Sequence, residues 1–172
     1  MGQTEKNQCR ASATSVVYEK HPLKNKGGNV YTRLQKLIDN DWNGAIFAAA
    51  GLERVELLPK NHVMLDWMIP APAQGAIMIT ALKAETELLE ICRQINHKET
   101  EIAVGVERQF RKTLEGGCTA PIGGNAKIIG DTIYFKSILI AIDGSEKVEV
   151  ERTLAMSEWK SLGKICAEEV LS

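Results

Sequence analysis

The chain has 172 residues and lacks the marks of several common protein classes. Its 21 Lys and Arg nearly cancel its 22 Asp and Glu, leaving a formal charge of −1. That argues against a general nucleic-acid binder, because such domains carry a basic excess. Among Cys9, Cys92, Cys118 and Cys166 there is no C-x-x-C pair, which argues against zinc and thioredoxin-like chemistry. His21, His62 and His97 share no ligand spacing, so no metal site is expected. No apolar run approaches the roughly 20 residues that a bilayer-spanning helix needs, and no membrane contact is expected. There is no internal repeat and no low-complexity tract. The stretch Met1 to Asn7 is polar, lacks the basic-then-apolar plan of a signal peptide, and reads as a frayed or foreign end. The even number of cysteines permits disulfides, yet Cys92 and Cys166 fall in helix-like apolar stripes. Reduced thiols in a cytoplasmic setting are therefore expected.

What is present is ordinary in bulk: 44% hydrophobic and 25% charged residues, as in a soluble globular protein. The length suits one medium domain or two small ones. The first third reads as part of an α/β unit. Val30, Leu34, Leu37 and Ile38 recur at helical spacing behind Asn29, a suitable N-cap. Ala45 to Ala50, closed by Gly51, predicts a short strand buried on both faces, with small residues leaving room for a ligand at its carboxyl edge. Residues 59 to 75, broken by Pro59, Pro70 and Pro72 and ending in Gln74-Gly75, read as a segment crossing between domains. Ala76 to Ile79 predicts another strand, and 84 to 95 a helix with Leu88, Leu89, Ile91, Cys92 and Ile95 inward.

The remainder changes character. Glu99 to Leu114 predicts a helix with Val106, Phe110 and Leu114 on one stripe. Ala126–Ile129 and Thr132–Ile142 read as strands joined at Gly130-Asp131. Asp143-Gly144 is a hairpin signal before a returning strand from Lys147 to Thr153. Ser157 then reads as the N-cap of a last helix that buries Trp159, Leu162, Ile165, Cys166 and Val170. A three-stranded antiparallel meander with helices on one face is an α+β module.

Between these elements lies Leu114-Glu115-Gly116-Gly117-Cys118-Thr119-Ala120-Pro121-Ile122-Gly123. Two glycines put the Cys118 thiol on a backbone with little side-chain cover, open to close approach by another molecule. A thiol that must bond covalently to something large belongs in such a loop. A small buried cysteine beside a turn is the plain alternative.

These pieces, in this order, resemble the hydroxymethylbilane synthase (porphobilinogen deaminase) family. Gly28-Asn29-Val30-Tyr31-Thr32-Arg33-Leu34 is similar to the family's R-G-N-V-x-T-R-L, and Ala48 to Arg54 to its A-x-A-G-L-x-R. Pro70 to Ala76 is similar to L-P-A-x-G-Q-G-A, and Asn96 to Thr100 to N-H-x-E-T. Val106-Glu107-Arg108, Leu114 to Cys118 and Pro121-Ile122-Gly123 complete the likeness, which covers roughly residues 22 to 171.

The resemblance implies a transferase that joins porphobilinogen units head to tail, with loss of ammonia, on a covalent dipyrromethane primer. It implies that Cys118 carries the primer through a thioether. Arg33 and Arg54 would hold the acetate and propionate arms, which suits the fixed guanidinium fork. Gly51 would allow close approach of the pyrrole chain, and Gln74 and Gly75 would form a hinge. The implied architecture is a partial, periplasmic-binding-protein-like α/β domain with its hinge over 1–75. A return segment of an N-terminal domain follows over 76–95, and a C-terminal α+β domain carries the cysteine over 96–172.

Departures from the pattern accompany these matches. The family's catalytic aspartate lies in an N-terminal domain whose main segment finds no counterpart here, so no catalytic residue is named. The T-S-S-x-R-R segment has no clear register in Asn7 to Val16, which holds only Arg10, and Gly27 stands where R-G-N-V has arginine. Lys24 and Lys26 supply charge without the bidentate fork. A second expectation follows: a truncated, inactive fragment that keeps the fold and at most binds carboxylate-rich ligands. A thiol enzyme using His97 as base is a third, weaker one. Because 76–95 would lack a packing partner, self-association or local disorder is expected there.

Overall fold

The computed structural model describes residues 28–114 and 121–172. They divide into two compact units, the first ending at Asp66 and the second running from Trp67 to Ser172.

The first unit is helical where it is regular. Helix α1 spans Val30–Asp39, and Asn29 caps it by accepting the Thr32 N–H at 2.9 Å. Helix α2 is short, Ala49–Glu53, and anchors through buried Leu52. The strand predicted over Ala45 to Ala50 does not form. Residues 45–48 lie outside any sheet, and Ala49 and Ala50 open α2. An apolar run becomes a strand only when a neighbouring strand accepts its ladder, and among the described residues this unit has no strand.

The second unit holds the core. Helix α3 spans Thr86–Gln94 and α4 spans Lys98–Leu114. Strands β1 (Ile122–Ile129), β2 (Thr132–Ile140) and β3 (Lys147–Ala155) form an antiparallel sheet in that order. A 3₁₀ turn at Met156–Glu158 leads into α5, Trp159–Val170. Pairing brings Ala126 opposite Phe135 and Ile133 opposite Leu154, so alternate residues build one apolar face. Helices α4 and α5 lie against that face. Phe110 of α4 meets Phe135 edge to face, with ring centroids 5.4 Å apart. Gly163 allows α5 to touch α4, since a Cβ there would sit 2.8 Å from the Phe110 nitrogen.

Several expectations are met and several are corrected. Ile102, Val106, Phe110 and Leu114 form the buried stripe of α4, and the turns fall at Gly130-Asp131 and Asp143-Gly144. Ser157 is not an N-cap: it lies inside the 3₁₀ turn, and Glu158 precedes α5 without a side-chain cap. Ile165 is exposed, and Gly163 and Ala167 take its place inward, because the close α4 crossing selects small residues. Ala76 to Ile79 pairs with no strand. Helix α3 forms, but Leu88, Ile91 and Ile95 are exposed rather than inward. Cys92 and Cys166 are free thiols, as expected, and burial pushes the Cys166 thiol up to about 11.

Candidate functional site

In the first unit the two arginines singled out by sequence are placed by different helices, Arg33 within α1 and Arg54 just after α2. Arg33 lies in the first turn of α1, where its N–H bonds the Asn29 carbonyl at 3.0 Å. Its side chain is half-buried, and its Nε is buried without a hydrogen-bond partner. A guanidinium N–H left so is costly unless something accepts it. Arg54 follows the end of α2 and is exposed. Among the described residues it forms no ion pair, and in particular none with Glu53 or Glu56. Among the described residues, neither Arg33 Nε nor the Arg54 guanidinium has a partner. Gly51, one turn from Arg54, faces open space, with no protein atom within 4 Å of the place a Cβ would occupy.

Gln74 and Gly75 lie in the second unit, in a turn where the Gln74 N–H bonds the Ala71 carbonyl at 3.0 Å. Gly75 has φ +90, a conformation that suits glycine. The Gln74 Oε1 is buried without a partner. Cys118 lies outside the described residues, as do Arg10, Lys24, Lys26 and Gly27. The flanks of the cysteine stretch are firmly set: Leu114 ends α4 at 1% exposure, and buried Pro121 accepts the Ile140 N–H at 3.1 Å.

The two described histidines, His62 and His97, are engaged in local hydrogen bonds. His97 caps α4, its Nδ1 lying 2.9 Å from the Thr100 hydroxyl and accepting the Thr100 N–H at 3.3 Å. His62 bonds the Pro59 carbonyl. No group of metal-ligating side chains occurs among the described residues. Nor does any helix there have the length and apolar character to cross a membrane.

One residue given no role from sequence stands out. Glu107 is 6% exposed, and its carboxylate accepts two backbone N–H bonds, from Ala73 at 2.6 Å and Ala126 at 2.8 Å. Burial raises its pKa, against the lowering effect of those two donors. The signal was present in the sequence: Glu107 shares helical register with Phe110 and Leu114, and a carboxylate on an inward stripe needs donors.

Two family models match the chain in succession. Residues 7–90 match the family model described as porphobilinogen deaminase, dipyrromethane cofactor binding domain. Residues 101–172 match the one described as porphobilinogen deaminase, C-terminal domain. The chain is 40% identical over 149 residues to a porphobilinogen deaminase of Campylobacter hominis, covering 84% of this chain and 48% of that protein. It is 39% identical over 150 residues to that of Listeria innocua, with 84% and 48% covered. For the Nitrobacter hamburgensis protein the values are 36% over 145 residues, 83% and 46%. The chain thus spans about half the length of the curated relatives it matches.

Proposed function

The chain belongs to the porphobilinogen deaminase family, and from that premise we propose that it serves hydroxymethylbilane synthesis. The proposed reaction is the stepwise deaminative condensation of four porphobilinogen units into a linear tetrapyrrole, in the cytoplasm. The proposed cofactor is dipyrromethane, tethered through Cys118. When bound, it supplies the anchored pyrrole end to which further units are added.

The observation that carries this reading is the pair of unengaged guanidinium groups. Among the described residues, Arg33 Nε is buried without an acceptor and Arg54 forms no ion pair. Such donors fit the acetate and propionate arms of a pyrrole chain, which need bidentate, permanently charged partners. Open space at Gly51 leaves room for a ring beside Arg54. Gln74 and Gly75 are assigned to the hinge, within the division 1–75, 76–95 and 96–172. The partial α/β domain is assigned a periplasmic-binding-protein-like origin on resemblance.

Intact-mass measurement of the purified chain, after expression with porphobilinogen supplied, tests the tether. A mass gain equal to a dipyrromethane is expected, with colour from an acidic aldehyde reagent, and both are lost in Cys118→Ala. An unmodified wild-type thiol under those conditions would refute the assignment.

A second reading, a partial chain that is inactive alone, is favoured by one observation. Ile77, Met78, Ile79, Leu82, Leu88, Ile91 and Ile95 are all exposed over a short stretch. An apolar surface of that size calls for a cover, which a further domain or a second copy of the chain would supply. Turnover of porphobilinogen by the chain alone, and with an added N-terminal half from a relative, separates the readings. Activity only in the mixture supports the second.

A further inference from the structure

Strand β1 lies at the edge of its sheet, and an edge strand presents unpaired N–H groups to whatever lies beside it. Pro121 O faces β2, so the N–H groups of Gly124 and Ala126 point outward from the sheet. Neither is left bare. Gly124 donates to the Pro70 carbonyl at 2.9 Å, and Ala126 donates to the Glu107 carboxylate at 2.8 Å. The crossing segment thus touches the β1 edge through one backbone carbonyl, and a side-chain carboxylate accepts the next outward N–H.

The same carboxylate reaches back to the segment. Its other oxygen accepts the Ala73 N–H at 2.6 Å. Ala73 has φ +59, a left-handed conformation that alanine disfavours because its Cβ crowds the following carbonyl. Buried Pro72, which has no N–H to satisfy, seats beside Gly124, its Cγ 3.3 Å from the position a Cβ there would take. The docked turn also leaves the Gln74 Oε1 buried and without a donor. Two unfavourable features, a left-handed alanine and an orphaned acceptor, are therefore held in the docked turn beside the Glu107 carboxylate.

We propose that Glu107 latches a sprung edge cover. Its carboxylate holds residues 69–74 against β1 with Ala73 in the left-handed region. Loss of the Ala73 bond lets the segment lift from the sheet edge, carrying Gln74 and Gly75 with it. Glu107 is a positioning residue in this scheme and touches no reacting atom. The latch stands on the described geometry alone and is independent of whether Cys118 carries a cofactor.

Native-state amide exchange on the full 172-residue chain, read residue by residue by NMR, tests it. Glu107→Gln replaces one acceptor oxygen by an NH2 that faces a donor. It should lower protection at Ala73, Gly124 and Ala126 at least tenfold more than at Phe135 and Ile133 in the sheet centre. Ala73→Gly removes the strain, so protection at position 73 should rise severalfold with Glu107 intact. A uniform loss across turn and sheet in Glu107→Gln would mark a merely structural residue and overturn the latch. So would unchanged protection at the turn. Should Glu107→Gln fail to fold, Ala73→Gly decides alone: unchanged or reduced protection at position 73 overturns the sprung conformation.

Discussion

Gly163→Ala adds a single methyl where α5 crosses α4. The new Cβ would lie 2.8 Å from the Phe110 nitrogen and 3.0 Å from the Gln109 Cβ, and closer still to the Val106 carbonyl oxygen. Unstrained carbon contacts need roughly 3.5–4.0 Å, so the two helices must part by about 1 Å. Helical backbone has no rotamer by which to step aside. Parting also strains two bonds that tie the pair together, Gln109 Nε2 to the Lys160 carbonyl at 2.6 Å and the Lys164 N–H to Gln109 Oε1 at 3.1 Å. Val106, Phe110, Leu162 and Cys166, all fully buried, surround the crossing and lose contact as it opens. Overpacking of this kind costs about 1–3 kcal/mol, while replacing glycine by alanine in a helix returns about 1 kcal/mol. The more severe contacts are with backbone, so the upper part of the overpacking range applies, and a net loss of about 1–2 kcal/mol follows. For a small domain that is a fall in Tm of roughly 5–15 °C. Thermal unfolding followed by circular dichroism reads it directly. A Tm equal to or above wild type would show that the helices are not in close contact at Gly163, and the packing argument would fail.

Arg33→Lys and Arg54→Lys keep charge but lose the fork, so each should weaken binding of porphobilinogen or a linear acidic tetrapyrrole about tenfold, near 1.4 kcal/mol, by calorimetry. Equal affinity in both variants would remove the arginines from the binding role. Glu107 gives a pH signature of definite sign. Burial raises its pKa above 4.5, so the folded chain holds that proton more tightly than the unfolded chain. Its contribution to stability is complete below about 4.5 and declines as pH rises through the raised value. The stability gap between wild type and Glu107→Gln, from urea unfolding, should narrow with rising pH over that window; a widening gap contradicts burial as the dominant cause. Ile77→Ser combined with Ile91→Ser, at side chains 90% and 55% exposed, should shift the chain toward monomer in sedimentation velocity at high concentration. A wild-type chain that stays monomeric throughout would refute the predicted self-association.

The C-terminal module was legible in the sequence because its signals are local. Alternation in β2 predicts a half-buried strand, Asp143-Gly144 predicts a hairpin, and the Val106–Phe110–Leu114 stripe predicts the inner face of α4. Each element finds its partner within the same stretch of chain, so local pattern and tertiary outcome agree. The N-terminal half was less legible for the opposite reason. Ala45 to Ala50 and Ala76 to Ile79 have strand composition, but a strand exists only through its neighbours, and neither run has one among the described residues. Helix α3 shows the same limit: its period was correct, and its apolar side stands uncovered. Arg33 and Arg54 were found by likeness to a family rather than by pattern, since a lone surface arginine carries no signal of its own. Glu107 was visible as a carboxylate on an inward stripe, but its partners lie at Ala73 and Ala126, far apart in sequence. Spacing alone does not pair such groups.

On the proposed reading, the two parts of the second unit answer opposite physical demands. A thiol that roots a lengthening chain needs ends that do not yield, and the cysteine stretch is bounded by Leu114 and Pro121, both buried and both continuous with the core. A hinge needs the reverse, a contact strong enough to define one position and weak enough to leave it. A full strand ladder along β1 would place many cooperative backbone bonds in the way of release. The crossing segment instead meets β1 through the Gly124 N–H bond to the Pro70 carbonyl and through one carboxylate shared between turn and sheet. The left-handed Ala73 and the unpartnered Gln74 acceptor bias that contact toward opening. Fixed root and releasable strap thus meet on the same helix, because Glu107 lies on α4 two turns before its end at Leu114. Movement of the hinge is in this way referred to the element that leads directly into the thiol.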